Sequence, residues 1–209
     1  MSFDNLHIVD HPLAQHLIAQ LRDDATPPTA FRTLCKRLTH VLALEATRDL
    51  DMGVVPIQTP LERTDCGVIV DPIVAVVILR AGLGMLDPIV EMFPDVAVGY
   101  VGLERNESTA IASSYYAKLP PDTPGKTILL LDPMLATGGS AAQACDLIVS
   151  FKPKRIIMLA VVAAPEGVAH MQDLHPDVHI YTAALDRGLN DRKYILPGLG
   201  DFGDRLYGT

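Results

Sequence analysis

The chain has few aromatic residues and no tryptophan, which limits how it can build a core. Aromatic residues make up 5% of its 209 residues, whereas hydrophobic residues of all kinds make up 49%. The core must therefore consist mainly of aliphatic side chains, which is typical of buried parallel strands. A chain of this length can bury a sizeable core, and we predict a single domain over residues 1–209.

Cysteine is also scarce, and its placement argues against two common kinds of site. The three cysteines, Cys35, Cys66 and Cys145, are widely spaced and form no Cys-x-x-Cys pair. Neither a zinc site nor a disulfide framework is therefore predicted. The apolar run Ile73–Leu79 is too short to cross a bilayer, and no signal peptide is recognisable. We expect a cytoplasmic protein with no membrane partner.

Basic residues are fewer than acidic residues in this chain. The chain has 17 lysines and arginines against 25 aspartates and glutamates, a formal net charge of −8. This balance argues against a nucleic-acid partner. An anionic ligand would need local attraction instead, from particular arginines, helix N-termini and a divalent cation.

Apolar runs alternate with amphipathic segments through most of the chain. This alternation predicts an α/β fold with a mostly parallel central sheet flanked by helices. Ligands in such folds bind beyond the carboxyl ends of the strands. The predicted strands are Ile73–Leu79, Val96–Leu103, Thr127–Leu131, Arg155–Ala163 and Val178–Ala183, and the helices between them are Gly84–Met92, Gly139–Phe151 and Pro165–Asp173.

The first 50 residues predict a helical arm of the kind that often contacts another subunit. Leucines recur at helical spacing within Pro12–Arg22, and Asp10 stands where it can cap that helix. A longer helix follows, with apolar residues at helical spacing from Phe31 to Leu42. Beyond the arm, two strands are predicted around a polar turn at 63–67: Val54–Gln58 and Val68–Val70.

The most informative segment joins a buried apolar run to a glycine-bearing turn. Ile128–Leu131 predicts a strand that ends in Asp132, and Thr137–Ser140 then opens an alanine-rich helix. Free backbone amides and the positive end of a helix dipole favour a phosphate, and glycines let the backbone approach it. The Asp132 carboxylate can accept hydrogen bonds from ribose hydroxyls or face a metal. An ordinary strand–turn–helix connection is the alternative.

Arg80 is a second candidate binding residue. It follows a buried strand directly and precedes two glycines. Guanidinium groups bind phosphate oxygens in pairs, so this arrangement suits a clamp for a diphosphate. A structural salt bridge is the alternative interpretation.

The C-terminal segment is rich in glycine. Gly198, Gly200 and Gly203 match the spacing of a dinucleotide fingerprint, but only six residues follow Gly203 in this sequence. No βαβ unit is therefore expected there, and the match is judged accidental. A rigid loop with few side chains suggests instead that backbone groups meet the flat edge of a ligand.

The polar segment 104–121 is long for a connection within a compact domain. It is rich in serine and threonine and contains Tyr115 and Tyr116 before Lys118. Its length suggests a flexible lid, and an ordinary surface hairpin is an equally good interpretation.

Three segments together resemble a known family. Asp132–Ser140 resembles the loop that binds 5-phosphoribosyl 1-diphosphate (PRPP) in type I phosphoribosyltransferases. Leu79–Gly84 and Tyr194–Arg205 resemble the diphosphate and base loops of the uracil-specific branch of that family. Many relatives carry two adjacent acids where this chain has Asp132 followed by Pro133, a departure typical of the uracil branch. The resemblance extends over nearly the whole chain.

The resemblance implies a type I fold with a small hood or lid and the reaction uracil + PRPP → UMP + diphosphate. It also implies an unusual backbone, such as a cis peptide bond, around Arg80–Ala81. Uracil presents a carbonyl, an N–H and a second carbonyl in a row, which backbone groups of the 194–205 base-binding loop can match. Cytosine would leave a buried group of that loop unpaired, which would give strong discrimination.

The resemblance assigns roles to matching residues of this chain. The implied catalytic residues are Asp132, Arg105 and Asp201. The implied PRPP-binding residues are Arg80, Arg105, Asp132, Pro133, Met134, Leu135, Ala136, Thr137, Gly138, Gly139, Ser140 and Asp201. The implied uracil-binding residues are Ile195, Gly200, Asp201 and Phe202, although many bacterial members have alanine in place of Phe202. Mg²⁺ is the implied cofactor, bound through PRPP near Asp201 and not by direct protein ligands.

The resemblance further implies a homodimer or higher homo-oligomer, with GTP as an effector in some members and CTP in others. Two other functions remain open. One is transfer to another base, because only the Ile195–Asp204 loop argues for uracil. The other is a PRPP-sensing regulator that has lost the reaction, which the charge of −8 disfavours if it is to bind RNA. A kinase is disfavoured because Gly138-Gly139-Ser140 lacks the Walker lysine.

Overall fold

This computed structural model describes residues 3–105 and 112–209, with the backbone alone at 104–105 and 112–115. The helices of these ranges are α1 (Pro12–Arg22), α2 (Pro28–Ala46), α3 (Leu86–Met92), α4 (Gly139–Val149), α5 (Pro165–Leu174) and α6 (Phe202–Tyr207), and a 3-10 helix spans Ala81–Met85. The strands are β1 (Leu6–Ile8), β2 (Met52–Gln58), β3 (Arg63–Ile69), β4 (Ile73–Leu79), β5 (Ala97–Arg105), β6 (Ala112–Lys118), β7 (Thr127–Leu131), β8 (Met134–Leu135), β9 (Arg155–Ala160), β10 (Val162–Ala163), β11 (His179–Thr182), β12 (Gly188–Leu189) and β13 (Ile195–Leu196).

The main sheet has seven strands in the order β1-β11-β9-β7-β4-β5-β6. Its neighbouring strands are parallel, except that β6 runs antiparallel to β5. Three two-stranded sheets accompany it: β2 with β3, β8 with β10, and β12 with β13. The predicted α/β fold with a mostly parallel sheet is confirmed.

Alternate residues of the central strands face two different helical layers. On β7, Leu129 and Leu131 pack with residues of α1, α2, α3 and α6. Ile128 and Leu130 point the other way and pack with residues of α4 and α5. Full burial of such a side chain stabilises the fold by about 1.5–3 kcal/mol. The helices of the predicted N-terminal arm thus cover one face of the sheet, and β1 extends its edge.

Helix α1 has the predicted bounds but a different cap. The N-cap residue is His11, whose Nδ1 accepts a hydrogen bond from the backbone N–H of Leu13 at 3.0 Å. The expectation that Asp10 caps this helix is wrong, because Pro12 is the first helical residue and the cap is the residue directly before it.

The polar turn predicted at 63–67 is also wrong, since these residues lie within β3. The strand pairs over its whole length with β2, and the turn is at 59–62, where Thr59 Oγ1 accepts the backbone N–H groups of Leu61 and Glu62. Most residues of this hairpin are exposed on both of its faces, so polar residues can occur within its strands as well as in its turn. The polar residues at 63–67 therefore did not mark a turn.

The strand predicted at 155–163 is interrupted. β9 ends at Ala160, and Val162 and Ala163 pair instead with Met134 and Leu135 of β8. This switch carries the chain from the main sheet toward the segment that follows β7.

The predicted lid, 104–121, is described only at its flanks. The backbones of β5 and β6 pair antiparallel from Tyr100↔Lys118 to Arg105↔Ala112, with a register shift between Gly102 and Leu103. Residues 106–111 lie outside the described residues, and closure of this segment over a ligand stays a prediction. Within the described ranges, no helix combines the length and apolarity needed to cross a membrane.

Candidate active site

Three strands of the main sheet end at or just before candidate residues, at the carboxyl ends of the parallel strands. Arg80 follows β4, Asp132 follows β7, and β5 ends at Arg105. Because β4 pairs with both β5 and β7, these chain positions are neighbours at one edge. The side chain of Arg105 lies outside the described residues.

The segment after β7 is fixed by main-chain hydrogen bonds. The carbonyl oxygen of Pro133 accepts the N–H groups of Val161 and Val162 at 2.9 and 3.1 Å. The carbonyl oxygen of Leu135 accepts the N–H of Ala164 at 2.9 Å. These main-chain bonds tie the segment to the residues that follow β9.

Asp132 stands at the start of this segment and is half-buried. Its backbone N–H donates to the carbonyl oxygen of Leu159 at 3.3 Å, and its Oδ1 accepts the N–H of Met134 at 3.4 Å. These bonds orient the carboxylate at the strand end. A carboxylate held in this way can accept hydrogen bonds from sugar hydroxyls.

Helix α4 begins with a glycine cap. Gly138 has a φ of +80°, and a Cβ there would lie 2.8 Å from the carbonyl oxygen of Gly167. Only glycine fits this position, because both the left-handed conformation and the close contact exclude a side chain. Because the cap residue has no side chain, it satisfies none of the first amides of the helix, which is typical of a helix start that binds an anion. Thr137 Oγ1 accepts the N–H of Gly139 at 3.4 Å.

The loop after β4 lies directly against β7. A Cβ at Gly82 would come within 2.4 Å of the carbonyl oxygen of Leu131. The loop that carries Arg80 and the segment that begins at Asp132 are therefore adjacent. The Arg80 side chain is exposed. The peptide bond between Leu79 and Arg80 is cis, one residue earlier than the Arg80–Ala81 position expected.

The C-terminal helix reaches this same loop. The hydroxyl of Tyr207 donates to the carbonyl oxygen of Arg80 at 3.3 Å. Burial raises the pKa of Tyr207, and the nearby charge of Arg80 acts in the opposite direction. The phenol is therefore protonated near neutral pH and can donate this bond.

The 194–205 segment predicted as one loop contains three structures. It starts with β13, turns through a cis Leu196–Pro197 bond, and enters α6 at Phe202. Its C-terminal part is helical because Asp201 caps α6, with Oδ1 accepting the N–H of Asp204 at 2.9 Å. The loop itself is residues 197–201, in which Gly198 and Gly200 have φ values of +60° and +81°.

One cavity of about 260 Å³ joins the segment after β7 to this C-terminal loop. It is lined by Met134, Ala136, Arg192, Lys193, Tyr194, Ile195, Gly200, Asp201 and Phe202. All the residues that the sequence assigned to uracil line it, including Asp201, which was assigned to PRPP as well, together with Met134 and Ala136, which were assigned to PRPP alone. The Phe202 ring itself packs edge-on against Phe31, with centroids 5.0 Å apart, and is buried in the core.

Sequence reasoning missed Arg192, Lys193 and Tyr194 as lining residues. They are exposed and held by a turn in which Asn190 Oδ1 accepts the N–H groups of Arg192 and Tyr194, both at 2.9 Å. An Asn-Asp pair followed by two basic residues directly before the base loop was the available signal.

A larger cavity, of about 500 Å³, lies near the N-terminal end of β9, at the opposite ends of the strands from the candidate site. Two of the three lysines and arginines that line it, Lys154 and Arg155, are paired with the buried carboxylate of Asp71, at 2.9 and 3.5 Å. Burial disfavours the charged form of Asp71, yet hydrogen bonds from Lys154 and Thr127 hold its pKa below the usual value. Most of its positive charge is therefore already paired, so this cavity is the weaker candidate for an anionic ligand.

Comparison with known proteins places this geometry in a family. The family model for uracil phosphoribosyltransferase matches residues 8–209. A protein of Thermosipho africanus with that name is 47% identical over 206 residues, covering 98% of this chain and 99% of its own. One of Campylobacter curvus, with the same name, is 43% identical over 205 residues, covering 98% and 99%.

Solved structures share this fold. A protein of Aquifex aeolicus superposes with a TM-score of 0.93 at 36% identity, covering 98% of both chains. A hypoxanthine-guanine phosphoribosyltransferase of Bacillus anthracis superposes with a TM-score of 0.51 at 13% identity, covering 76% of this chain and 80% of its own, which shows a shared fold alone. The chain belongs to the uracil phosphoribosyltransferase family.

Proposed function

We propose that this chain is a pentosyltransferase that converts uracil and PRPP to UMP and diphosphate. The proposal depends on one observation, a cavity that is lined by both the segment after β7 and the C-terminal loop. A transfer between two substrates requires that both bind within reach of one another. Family membership supports the same reaction.

The ribose and its 5′-phosphate are assigned to the segment after β7. Asp132 would accept hydrogen bonds from the ribose hydroxyls, and residues 136–140 would bind the phosphate through backbone amides and the Thr137 and Ser140 hydroxyls. The glycine cap of α4 supports this assignment. Pro133, Met134 and Leu135 would shape the segment between them.

The diphosphate is assigned to Arg80 and Arg105. Arg80 is exposed and lies in a loop adjacent to Asp132. Displacement at the anomeric carbon builds positive charge on the ribose and negative charge on the leaving group. Little covalent chemistry is then needed from the protein, and positioning and charge stabilisation account for the rate.

Uracil is assigned to the cavity wall formed by Ile195 and Gly200–Phe202. Gly200 and Asp201 can present backbone groups there, because the loop carries few side chains. A wall of fixed backbone donors and acceptors favours uracil over cytosine, since the amine of cytosine would leave a buried group unpaired.

Mg²⁺ is the proposed cofactor. Among the described residues, no group of three or more potential ligands could hold a metal. The ion would be bound through PRPP, near the Asp201 carboxylate, rather than by direct protein ligands, which agrees with the preference of Mg²⁺ for phosphate and water oxygens. When bound, the ion would neutralise charge on the diphosphate. Asp132 would hold the ribose hydroxyls, and Asp201 would contact the PRPP–Mg²⁺ complex near the base.

A homodimer is the proposed assembly, and GTP is the proposed effector. The hairpin β2–β3 supports the first proposal, because apolar side chains such as Val54 and Leu61 are 74% and 95% exposed there. A second copy of the chain could cover them. The GTP proposal rests on the resemblance of the sequence to members of the family that respond to it.

Base competition tests the proposed reaction. Purified protein, PRPP and Mg²⁺ are incubated with labelled uracil, cytosine, adenine or hypoxanthine, each with and without GTP. UMP from uracil alone is the expected product. A nucleotide from another base would indicate a different base specificity. PRPP binding without any nucleotide would favour the regulator, and RNA binding would then be measured.

A further inference from the structure

An ion pair between distant parts of the chain holds the backbone of the base loop. Arg22 donates from Nη2 to Oδ1 of Asp186 at 2.6 Å and from Nη1 to Oδ2 at 2.8 Å. The same Nη1 donates to the carbonyl oxygen of Gly198 at 2.7 Å. The N–H of Gly198 donates in turn to Oδ2 of Asp186 at 2.8 Å. Both backbone polar groups of Gly198 are therefore bound by one ion pair.

This ion pair is shielded from water and anchored at both ends. The side chain of Asp186 is 5% exposed and that of Arg22 is 25% exposed. The backbone N–H of Asp186 donates to the carbonyl oxygen of Ala163 at 2.8 Å. Ala163 is the last residue of β10, the strand that pairs with β8. Arg22 is the last residue of α1. Charged hydrogen bonds in such surroundings are stronger than those on an open surface.

A second arginine holds the next residue of the loop. Arg205 donates to the carbonyl oxygen of Leu199 at 3.0 Å and also to those of Leu21 and Asp23. Its guanidinium carbon lies 4.6 Å from the centroid of the Phe31 ring. The loop is therefore tied to the end of α1 at two consecutive residues.

The backbone of the loop needs such external support. Gly198 has a φ of +60°, and a Cβ there would lie 2.2 Å from the carbonyl oxygen of Ile195. Gly200 has a φ of +81°. Glycine backbones reach many conformations at similar energy, so one conformation must be selected by contacts from outside the loop. A displacement of about 1 Å is enough to impair a site that recognises its ligand by geometry.

We propose that Arg22 and Asp186 are positioning residues for the pyrimidine base. Their ion pair sets the conformation in which the backbone groups of Gly200 and Asp201 meet the base. The inference rests on the proposed function of this cavity. In the described part of the chain the cavity is lined by other residues, so the ion pair acts through Gly198 rather than by touching the base.

Steady-state kinetics of three variants test this role. In Arg22→Met the KM for uracil is expected to rise at least tenfold, while the KM for PRPP stays within twofold. Arg22→Lys keeps the charge but loses the bidentate hydrogen bonds to Asp186, so a smaller rise in the KM for uracil is expected. Asp71→Asn is the matched control, because it weakens a buried ion pair at the opposite edge of the sheet. It should lower Tm and leave both KM values unchanged.

Hydrogen exchange supplies a readout that does not depend on activity. The peptide covering residues 195–203 should exchange faster in Arg22→Met than in the unaltered chain or in Asp71→Asn. Equal exchange in all three proteins would overturn the inference, as would equal increases in both KM values of Arg22→Met or an unchanged KM for uracil. UMP formation by the unaltered chain tests the proposed function separately.

Discussion

Gly167, in the first turn of α5, lies so close to Ala136 that an added Cβ would come within 2.5 Å of the Ala136 carbonyl oxygen. The carbonyl oxygen of Leu135 would be 2.9 Å away. No side chain fits at these distances without moving backbone. Gly167 therefore restricts the position of the segment after β7.

The first prediction concerns this contact. Gly167→Ala should push residues 135–136 away from α5 and weaken PRPP binding, which would appear as a higher KM for PRPP. Overpacking of this kind costs about 1–3 kcal/mol of stability, measurable by denaturant unfolding. Gly67→Ala is the control, because its Cβ would meet only the flexible end of Met52, at 3.3 Å. Unchanged PRPP kinetics in Gly167→Ala would show that the segment tolerates the displacement.

The second prediction concerns Asp132. Asp132→Asn keeps the size of the side chain but removes its charge, so hydrogen bonds to the ribose hydroxyls weaken. Turnover should fall by about 100-fold or more, with little change in Tm because the residue is half-buried. Asp146→Asn, on the exposed face of α4, should keep a normal rate. A near-normal rate in Asp132→Asn would remove this residue from the mechanism.

The third prediction concerns the hairpin β2–β3. Val54→Lys together with Leu61→Lys should convert the proposed homodimer to monomer in analytical ultracentrifugation, because two charges would have to be buried at the interface. Both side chains are exposed in the single chain, so its fold should be retained. Leu44→Lys, 62% exposed on α2, is the control. A variant that sediments like the unaltered protein would place the interface elsewhere.

The segment that we propose binds the phosphate could be located from the sequence because its structural constraints are local. Asp132 must follow a strand directly, and Gly138 must adopt a left-handed conformation at a helix start. Each requirement restricts the residue type at a known offset from an apolar run. The order of strands and helices along the chain could also be predicted, because each element is marked by its own local hydrophobic pattern.

The support of the base loop could not be predicted, because it joins remote segments. Arg22 and Asp186 are separated by 164 positions. An arginine is common at the C-terminal end of a helix because it interacts favourably with the helix dipole. The sequence around Arg22 therefore gave no reason to expect an ion pair with a distant carboxylate. Similarly, β8 is two residues long and too short to leave a pattern.

The fourth prediction concerns pH and the buried Asp71. Burial opposes its charged form, but hydrogen bonds from Lys154 and Thr127 outweigh this and hold its pKa below the usual value. A lowered pKa means that the ionised group stabilises the fold above the unfolded pKa of about 3.9, and that this contribution is lost as the pH falls through the folded pKa. The unaltered chain should exceed Asp71→Asn in unfolding free energy by about 1–3 kcal/mol at pH 7.

That difference should shrink as the pH falls below the unfolded pKa, in urea unfolding followed by circular dichroism. A difference that stays constant with pH would mean that the charge of Asp71 does not contribute to stability.

The fifth prediction concerns the cysteines. Burial raises the pKa of Cys35 and of Cys145 to about 12. Since the thiolate is the reactive form, both should resist iodoacetamide at pH 8 in the native protein. Cys66, half-buried on β3, should be alkylated first, and all three should react after unfolding in urea. Rapid modification of Cys35 or Cys145 in native protein would contradict their burial.

The most direct test of the central claim is the stoichiometry of product formation. Purified protein is mixed with uracil, PRPP and Mg²⁺, and UMP and diphosphate are quantified over time by chromatography and mass spectrometry. Equal amounts of UMP and diphosphate, formed at a rate that Asp132→Asn lowers about 100-fold or more, are the predicted result. PRPP that is bound but unconsumed, with no UMP, would contradict the claim.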